Sequence, residues 1–238
     1  YDMTLSVDGR QLRIGQTDAD RILGGTTRLD LSVARDGDGT PIVIRQADLA
    51  TPSLTAQAQG RYGAGQSDLT FTARLADIAP YAPGFSGPVT AQGDVRDAGG
   101  AGLRLDLRAE GPGGTVANVS GTAQPDFSAV DLGVTGQAPL ALANRLIAPK
   151  SVVGRADFDL RIAGAPSLGA VSGRVSTAGA RAVLPELGIV LNDINATVAL
   201  SGGSAQISAT LAKQEGGQVR VSGPVALSAP YNADLTAQ

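Results

Sequence analysis

The sequence predicts an all-β protein: an elongated antiparallel sheet with one long apolar face, interrupted by one short helix. Three observations carry this. From Leu5 to Leu235 the large aliphatic residues recur at every second position with Thr, Ser, Arg, Asp and Gln between them, and a period of two sends alternate side chains to opposite faces of a strand. The alternation is broken at short, regular intervals by Gly, Pro or Asp, the spacing of all-β architectures. Aromatic residues make up 3% of a chain that is 42% hydrophobic, so its apolar surface is aliphatic and lacks the rings that usually fill a compact core.

Taken in order, the elements begin with Thr4-Leu5-Ser6-Val7, followed by a strand in which Leu29, Leu31 and Val33 alternate with Arg28, Asp30 and Ser32. Asp36-Gly37-Asp38-Gly39 supplies the turn to the strand at Ile42, because glycine readily takes the positive φ of a tight reversal. Leu69, Phe71, Ala73 and Leu75 mark the next clear strand, and Val89 opens another after a proline-rich turn at 77–83. Leu103, Leu105 and Leu107 alternate with Arg104, Asp106 and Arg108. Pro139 at a first turn, Leu142 and Leu146 four apart and Pro149 as a stop predict a short helical insertion at about 138–148. The alternation resumes through Phe158, Leu160 and Ile162, then Ile194, Ala196, Val198 and Leu200, then Ile207 and Leu211, and ends with Val225 and Leu227. Gly202-Gly203 marks a hairpin. The spacing allows roughly 18 to 20 strands. Ser-Gly-x-Val/Ala recurs at Ser86, Ser120, Ser172 and Ser222 as a strand restart, at unequal intervals that suit stacked units of two to four strands rather than a short-period β-helix.

Composition excludes several function classes. With neither Cys nor His, thiol nucleophiles, Ser-His dyads and most zinc or copper sites are ruled out. Asp157 and Asp159 share a strand face, but a glycosidase would also want aromatic sugar platforms, and Arg155 and Arg161 make them a solvated face. Asp36-Gly37-Asp38-Gly39-Thr40 resembles the start of a calcium loop, yet Pro41 and Ala47 stand where that loop needs Gly and Glu. Gly111-Pro112-Gly113-Gly114 lacks the Lys-Ser/Thr of a phosphate loop. The chain reads as a non-enzyme with no metal and no cofactor. A net charge of −3 with dispersed Arg gives no basic patch for nucleic acid. No stretch approaches the roughly 18 apolar residues of a membrane span. The chain begins and ends inside β pattern and is expected to be one segment, 1–238, excerpted from a longer protein.

The stretch from Ala178-Gly179-Ala180 through Leu184-Pro185-Glu186-Leu187-Gly188 to Leu200, with Gly216-Gly217-Gln218-Val219 through Val225, resembles the TamB family of translocation and assembly module proteins. The Asp77–Gly87 turn and the 140–149 helix before a Gly-led strand fit the same pattern. The resemblance implies a sheet curled into a U, a β-taco with a hydrophobic interior, in the periplasm of a Gram-negative bacterium. The parent protein would be anchored in the inner membrane and reach a TamA-like barrel in the outer membrane. It also implies transport of phospholipid between the two membranes or, as the alternative, a scaffold for outer-membrane protein or autotransporter assembly with TamA.

The expected groove lining is Leu29, Leu31, Val33, Leu69, Phe71, Leu75, Val89, Leu103, Leu105, Leu107, Phe158, Leu160, Ile162, Ile194, Val198, Leu200, Ile207, Leu211, Val225 and Leu227. Phospholipid acyl chains are the expected partner, and an apolar face left open would also self-associate. Leu105 and Val198, central in their strands, are expected to accept a charge without loss of folding.

Overall fold

Alternation becomes strand wherever turn residues let the chain reverse, and in the computed structural model this gives sixteen antiparallel strands, 65% of the described residues. The structure describes residues 1–11, 15, 20, 22–63, 65–81, 84–99, 102–213, 216–228 and 232–238. Among the described residues the fold is all-β, and the helical insertion at 140–147 is short. The strand number falls below the sequence expectation because several strands are long, Val171–Leu184 and Ile189–Ser201 above all. Two units, Tyr1–Gly111 and Pro112–Gln238, organise the chain.

In the first unit β1 (Asp2–Arg10), β2 (Thr26–Ala34), β3 (Ile42–Ala50), β4 (Leu54–Tyr62), β5 (Asp68–Leu75), β6 (Val89–Asp97) and β7 (Leu103–Gly111) pair consecutively as a meander. One irregularity keeps it in phase. In β3 the apolar residues fall at Ile42 and Ile44 but then at Ala47 and Leu49, a slip of one position that would turn half the strand inside out. A bulge absorbs it, with Val33 opposite Ile44 and Ser32 opposite Gln46, so that Arg45 is the extra residue. Its guanidinium Nη1 donates to Asp2 Oδ2 at 2.6 Å.

In the second unit β8 (Thr115–Ala123), β9 (Val130–Pro139), β11 (Arg155–Gly164), β12 (Val171–Leu184), β13 (Ile189–Ser201), β14 (Ser204–Lys213), β15 (Gln218–Ala226) and β16 (Thr236–Ala237) follow in order, while β10 (Ser151–Val153) pairs with β12. β13 repeats the phase slip, since Ile189 and Leu191 give way to Ile194, Ala196 and Val198. The register shifts on both sides of it, with Asp193 at φ 50° and Gly179 at φ 63° across the break. Asn195 pins both, donating to Asp193 O at 2.9 Å and accepting from Gly179 N at 3.2 Å. At Gly202-Gly203 the φ values of 55° and 78° close a two-residue hairpin between Ser201 and Ser204.

The helical insertion is a 3-10 turn (Leu140–Ala143) running into one α-turn (Asn144–Ile147). It stands beside β10, where the backbone is paired to β12 on one side. Asn144 Oδ1 accepts the Val152 N–H at 2.7 Å, and the Leu140 N–H donates to Gly154 O at 3.0 Å, so polar groups on this side of the strand find partners.

Ser-Gly-x-Val/Ala proves to be something other than a strand restart. Only Gly87 precedes a strand, whereas Gly121 and Gly223 lie within β8 and β15. At Gly121 φ is 147° and a Cβ would stand 2.0 Å from Asp131 O and 2.9 Å from Leu132 Cα of the paired strand. Gly173, at φ 123°, would place one 2.2 Å from Asp159 O and 2.8 Å from Leu160 Cα. The same Asp-Leu dipeptide faces Gly60 as Asp68-Leu69, Gly93 as Asp106-Leu107 and Gly223 as Asp234-Leu235. The repeat is therefore a cross-strand device in which a glycine without a side chain admits the neighbouring Asp-Leu backbone.

Gly121→Ala and Gly173→Ala should each lower stability by more than about 2 kcal/mol, combining a strained φ with a backbone clash. Gly37, with no heavy atom within 4 Å of its would-be Cβ, should accept Ala within about 0.5 kcal/mol. Urea unfolding of the three variants measures the difference.

Candidate functional site: an uninterrupted apolar face

Register determines what the alternation builds. Following the pairs across the first unit, Val7, Leu29, Leu49, Ala56, Ala73, Ala91 and Ala109 form one row. Leu5, Leu31, Ala47, Ala58, Phe71, Gly93 and Leu107 form the next, and Met3, Val33, Ile44, Gly60, Leu69, Val95 and Leu105 a third. None of these positions carries a polar side chain. Leu54, Leu75 and Val89 begin a further row, and Leu103 stands opposite Asp97 at the border of the face.

The second unit repeats the arrangement. Ala117, Gly136, Phe158, Val175, Val198, Ile207 and Gly223 make one row, and Val119, Val134, Leu160, Gly173, Leu200, Ala205 and Val225 another. Ile162 continues from Leu132 to Val171, Ile194 stands opposite Ala180, and Leu211 opposite Val219. Leu227 follows β15, its N–H donating to Gly203 O at 2.9 Å. Large residues stand beside small ones, as where a Cβ on Gly136 would meet Phe158 Cζ at 2.7 Å. An aromatic ring laid over a strand glycine restores the packing that the glycine lacks.

All twenty expected lining residues are at least partly withdrawn from solvent: Val33, Leu103 and Leu105 are buried and the other seventeen are half-buried. Leu105 corrects the sequence expectation. At 7% exposure it is a packing position, and a carboxylate there would be a desolvated, unpaired charge that threatens the fold. Val198 is half-buried.

Few side chains are fully enclosed. Among the described residues the buried apolar ones are Val33, Leu103, Leu105, Ala123, Val130, Ala180 and Ala205.

The opposite face is mainly polar, with Val43, Val116 and Ala199 among its exceptions, and depressions open along it. One of ≈490 Å³ runs over Asp48, Gln57, Thr72, Gln92 and Arg108 of the first unit, and an adjoining one of ≈430 Å³ shares Asp48, Gln57 and Thr72. A twisted sheet is saddle-shaped, so each face has a concave diagonal, and here long Arg, Gln and Glu side chains wall it. Ion pairs decorate this face, Arg28 with Asp8 at 2.9 Å, Arg96 with Asp68 at 3.3 Å and Arg161 with Asp131 at 2.7 Å. All are well exposed, which limits each to a small share of stability. Among the described residues no group of three or more acidic side chains could hold a metal ion. Asp157 and Asp159 lie opposite Ser176 and Arg174, with no enclosed site around them.

The sequence signal that was missed is the Asp-Leu dipeptide opposite a glycine, visible in hindsight as Asp-Leu at 68, 106, 131, 159 and 234. No family model, curated protein or solved structure matches the chain.

Arg161 grips both oxygens of Asp131, and this hydrogen bond holds the carboxyl below its ordinary range. A depressed folded-state value means that the pair stabilises the fold at neutral pH and loses that contribution as pH falls through it. Arg161→Gln should therefore lower the melting temperature slightly at pH 7 and not at all once Asp131 is protonated, as a pH series of thermal melts would register.

Proposed function

We propose that the apolar face of each unit carries the hydrocarbon chains of phospholipid, as a segment of a periplasmic bridge of the TamB type between inner and outer membranes. The observation that carries this reading is the run of registered rows without one polar side chain, most of whose residues stay half-exposed. A row of seven strands at ~4.8 Å spacing spans about 29 Å, while one leaflet of a bilayer holds about 15 Å of hydrocarbon. A row thus accommodates a whole acyl chain.

The energetic case is simple. A two-chain lipid in water exposes on the order of 30 methylenes at ~0.8 kcal/mol each, an upper-bound cost above 20 kcal/mol. An aliphatic face removes much of that cost without hydrogen bonds, and Ala, Gly, Val and Leu walls provide no polar group to arrest movement. In the parent protein this segment would serve outer-membrane biogenesis, with a TamA-like barrel as partner.

Organic extraction and mass analysis of the purified chain should recover phospholipid, and a fluorescent acyl probe should bind it. Val198→Asp and Leu160→Asp should each weaken the probe at least about tenfold, since an unpaired charge on the face keeps water there. Thr197→Asp and Asp106→Arg, on the polar face, should not. Lipid-free protein with unchanged probe binding in a folded Val198→Asp variant would refute the reading, and capture of an unfolded outer-membrane protein instead would establish the scaffold.

A further inference from the structure

Asp-Gly occurs at Asp8-Gly9, Asp36-Gly37 and Asp38-Gly39, and the fold treats the three pairs differently. An aspartate followed by glycine carries a latent reaction, because the glycine nitrogen, with no Cβ beside it and a permissive backbone around it, reaches the carboxyl carbon one residue back. In a folded chain the reaction depends on whether that nitrogen is already held.

Gly9 lies inside β1. Tyr1 and Arg35 exchange both backbone hydrogen bonds, and the Gln11 N–H donates to Gly25 O at 2.7 Å, so the odd residues of β1 bond to β2 and the Gly9 N–H is held opposite Thr27. Gly37 is held by a side chain. Its N–H donates to Thr40 Oγ1 at 3.2 Å, and that hydroxyl donates to Gly37 O at 2.7 Å.

Asp38 and Gly39 are the central residues of the reversal that the Thr40 N–H closes on Gly37 O at 3.2 Å. Gly39 takes φ 83°, the positive value of a type II turn. Both residues are exposed, and no heavy atom lies within 4 Å of a Cβ built on Gly39. Among the described residues nothing accepts the Gly39 N–H.

We propose that Asp38 is a modification site, at which the chain converts aspartate to isoaspartate without an enzyme. Gly39 N attacks Asp38 Cγ and a C–N bond forms. The amide hydrogen and the carboxyl hydroxyl leave as one water, closing a five-membered succinimide. Water then adds at one of its two carbonyls: at Cγ it breaks the new bond and restores aspartate, and at the main-chain carbon it breaks the original peptide bond. In the second case Gly39 stays on Cγ and the former main-chain carbon becomes the free carboxylate. One water leaves and one enters, so the step needs no other reactant. The product lengthens the backbone by one atom in the turn between β2 and β3, the strands whose register the Arg45 bulge corrects. The turn lies outside the registered apolar rows, so this assignment stands or falls apart from the conduit reading.

Incubation of the folded chain in heavy-oxygen water at neutral pH tests it, since hydrolysis of the ring leaves one heavy oxygen in the product. Tryptic peptides 1–10 and 36–45 report the three sites, and electron-transfer fragmentation separates Asp36 from Asp38. Isoaspartate should form at least about fivefold faster at Asp38 than at Asp36, whose Gly37 N–H must first leave Thr40, and more slowly still at Asp8, where a strand must open. Thr40→Val should raise the Asp36 rate toward that of Asp38, and Asp38→Glu, which would need a six-membered ring, should abolish the reaction at that position. In urea the three rates should converge. Isoaspartate forming as fast at Asp36 or Asp8 as at Asp38 in the folded chain, none at Asp38 over the time in which the urea-unfolded chain forms it, or an unchanged ranking in urea would overturn the proposal.

Discussion

Register is the constraint on which everything else in this protein depends. In a meander where each strand pairs with the next, a slip of one residue would carry every following apolar side chain to the other face. The chain contains such slips, between Ile44 and Ala47 in β3 and between Leu191 and Ile194 in β13, and a bulge neutralises each. Arg45 is ejected toward Asp2 in one case, and Asp193 turns to positive φ beside Gly179 in the other. Without the first correction Val33 would stand opposite Arg45, and without the second Asn192 instead of Leu191 would share the face of Ile194.

Glycine sets how closely the strands can approach. Gly60, Gly93, Gly121, Gly173 and Gly223 each receive an Asp-Leu backbone at a distance that leaves no room for a Cβ. On the apolar face the leucine then lies beside a bare backbone, and large and small residues alternate along a row. On the polar face the aspartate is free to meet arginine, as Asp68 meets Arg96 and Asp131 meets Arg161. One dipeptide thus serves both faces, and the many glycines belong to the sheet as much as to its turns.

Stability here is distributed in an unusual way. Few apolar side chains are fully enclosed, and the surface ion pairs contribute little. The backbone ladders and the partial burial of many aliphatic side chains must therefore hold most of the fold, and the same partial burial leaves hydrocarbon at the surface for the proposed ligand. A second layer over the face would add stability and remove the site.

By itself the sequence determined the class and the sidedness. A period of two is a local property, so Leu29-Leu31-Val33 or Phe158-Leu160-Ile162 reveals a half-buried strand without knowledge of its neighbours, and Pro139 and Pro149 delimit the helical insertion for the same reason. Gly202-Gly203 declared its hairpin because two positive φ angles need two permissive residues. What only the tertiary structure decided was everything relational. Whether Ser-Gly begins a strand or sits opposite Asp-Leu depends on a partner strand distant in sequence. That Leu105 is enclosed while Val198 is half-open depends on what surrounds each, since both occupy the same place in the same pattern. Ser151 stands opposite Val183 because β10 pairs with β12, and no local periodicity encodes that pairing.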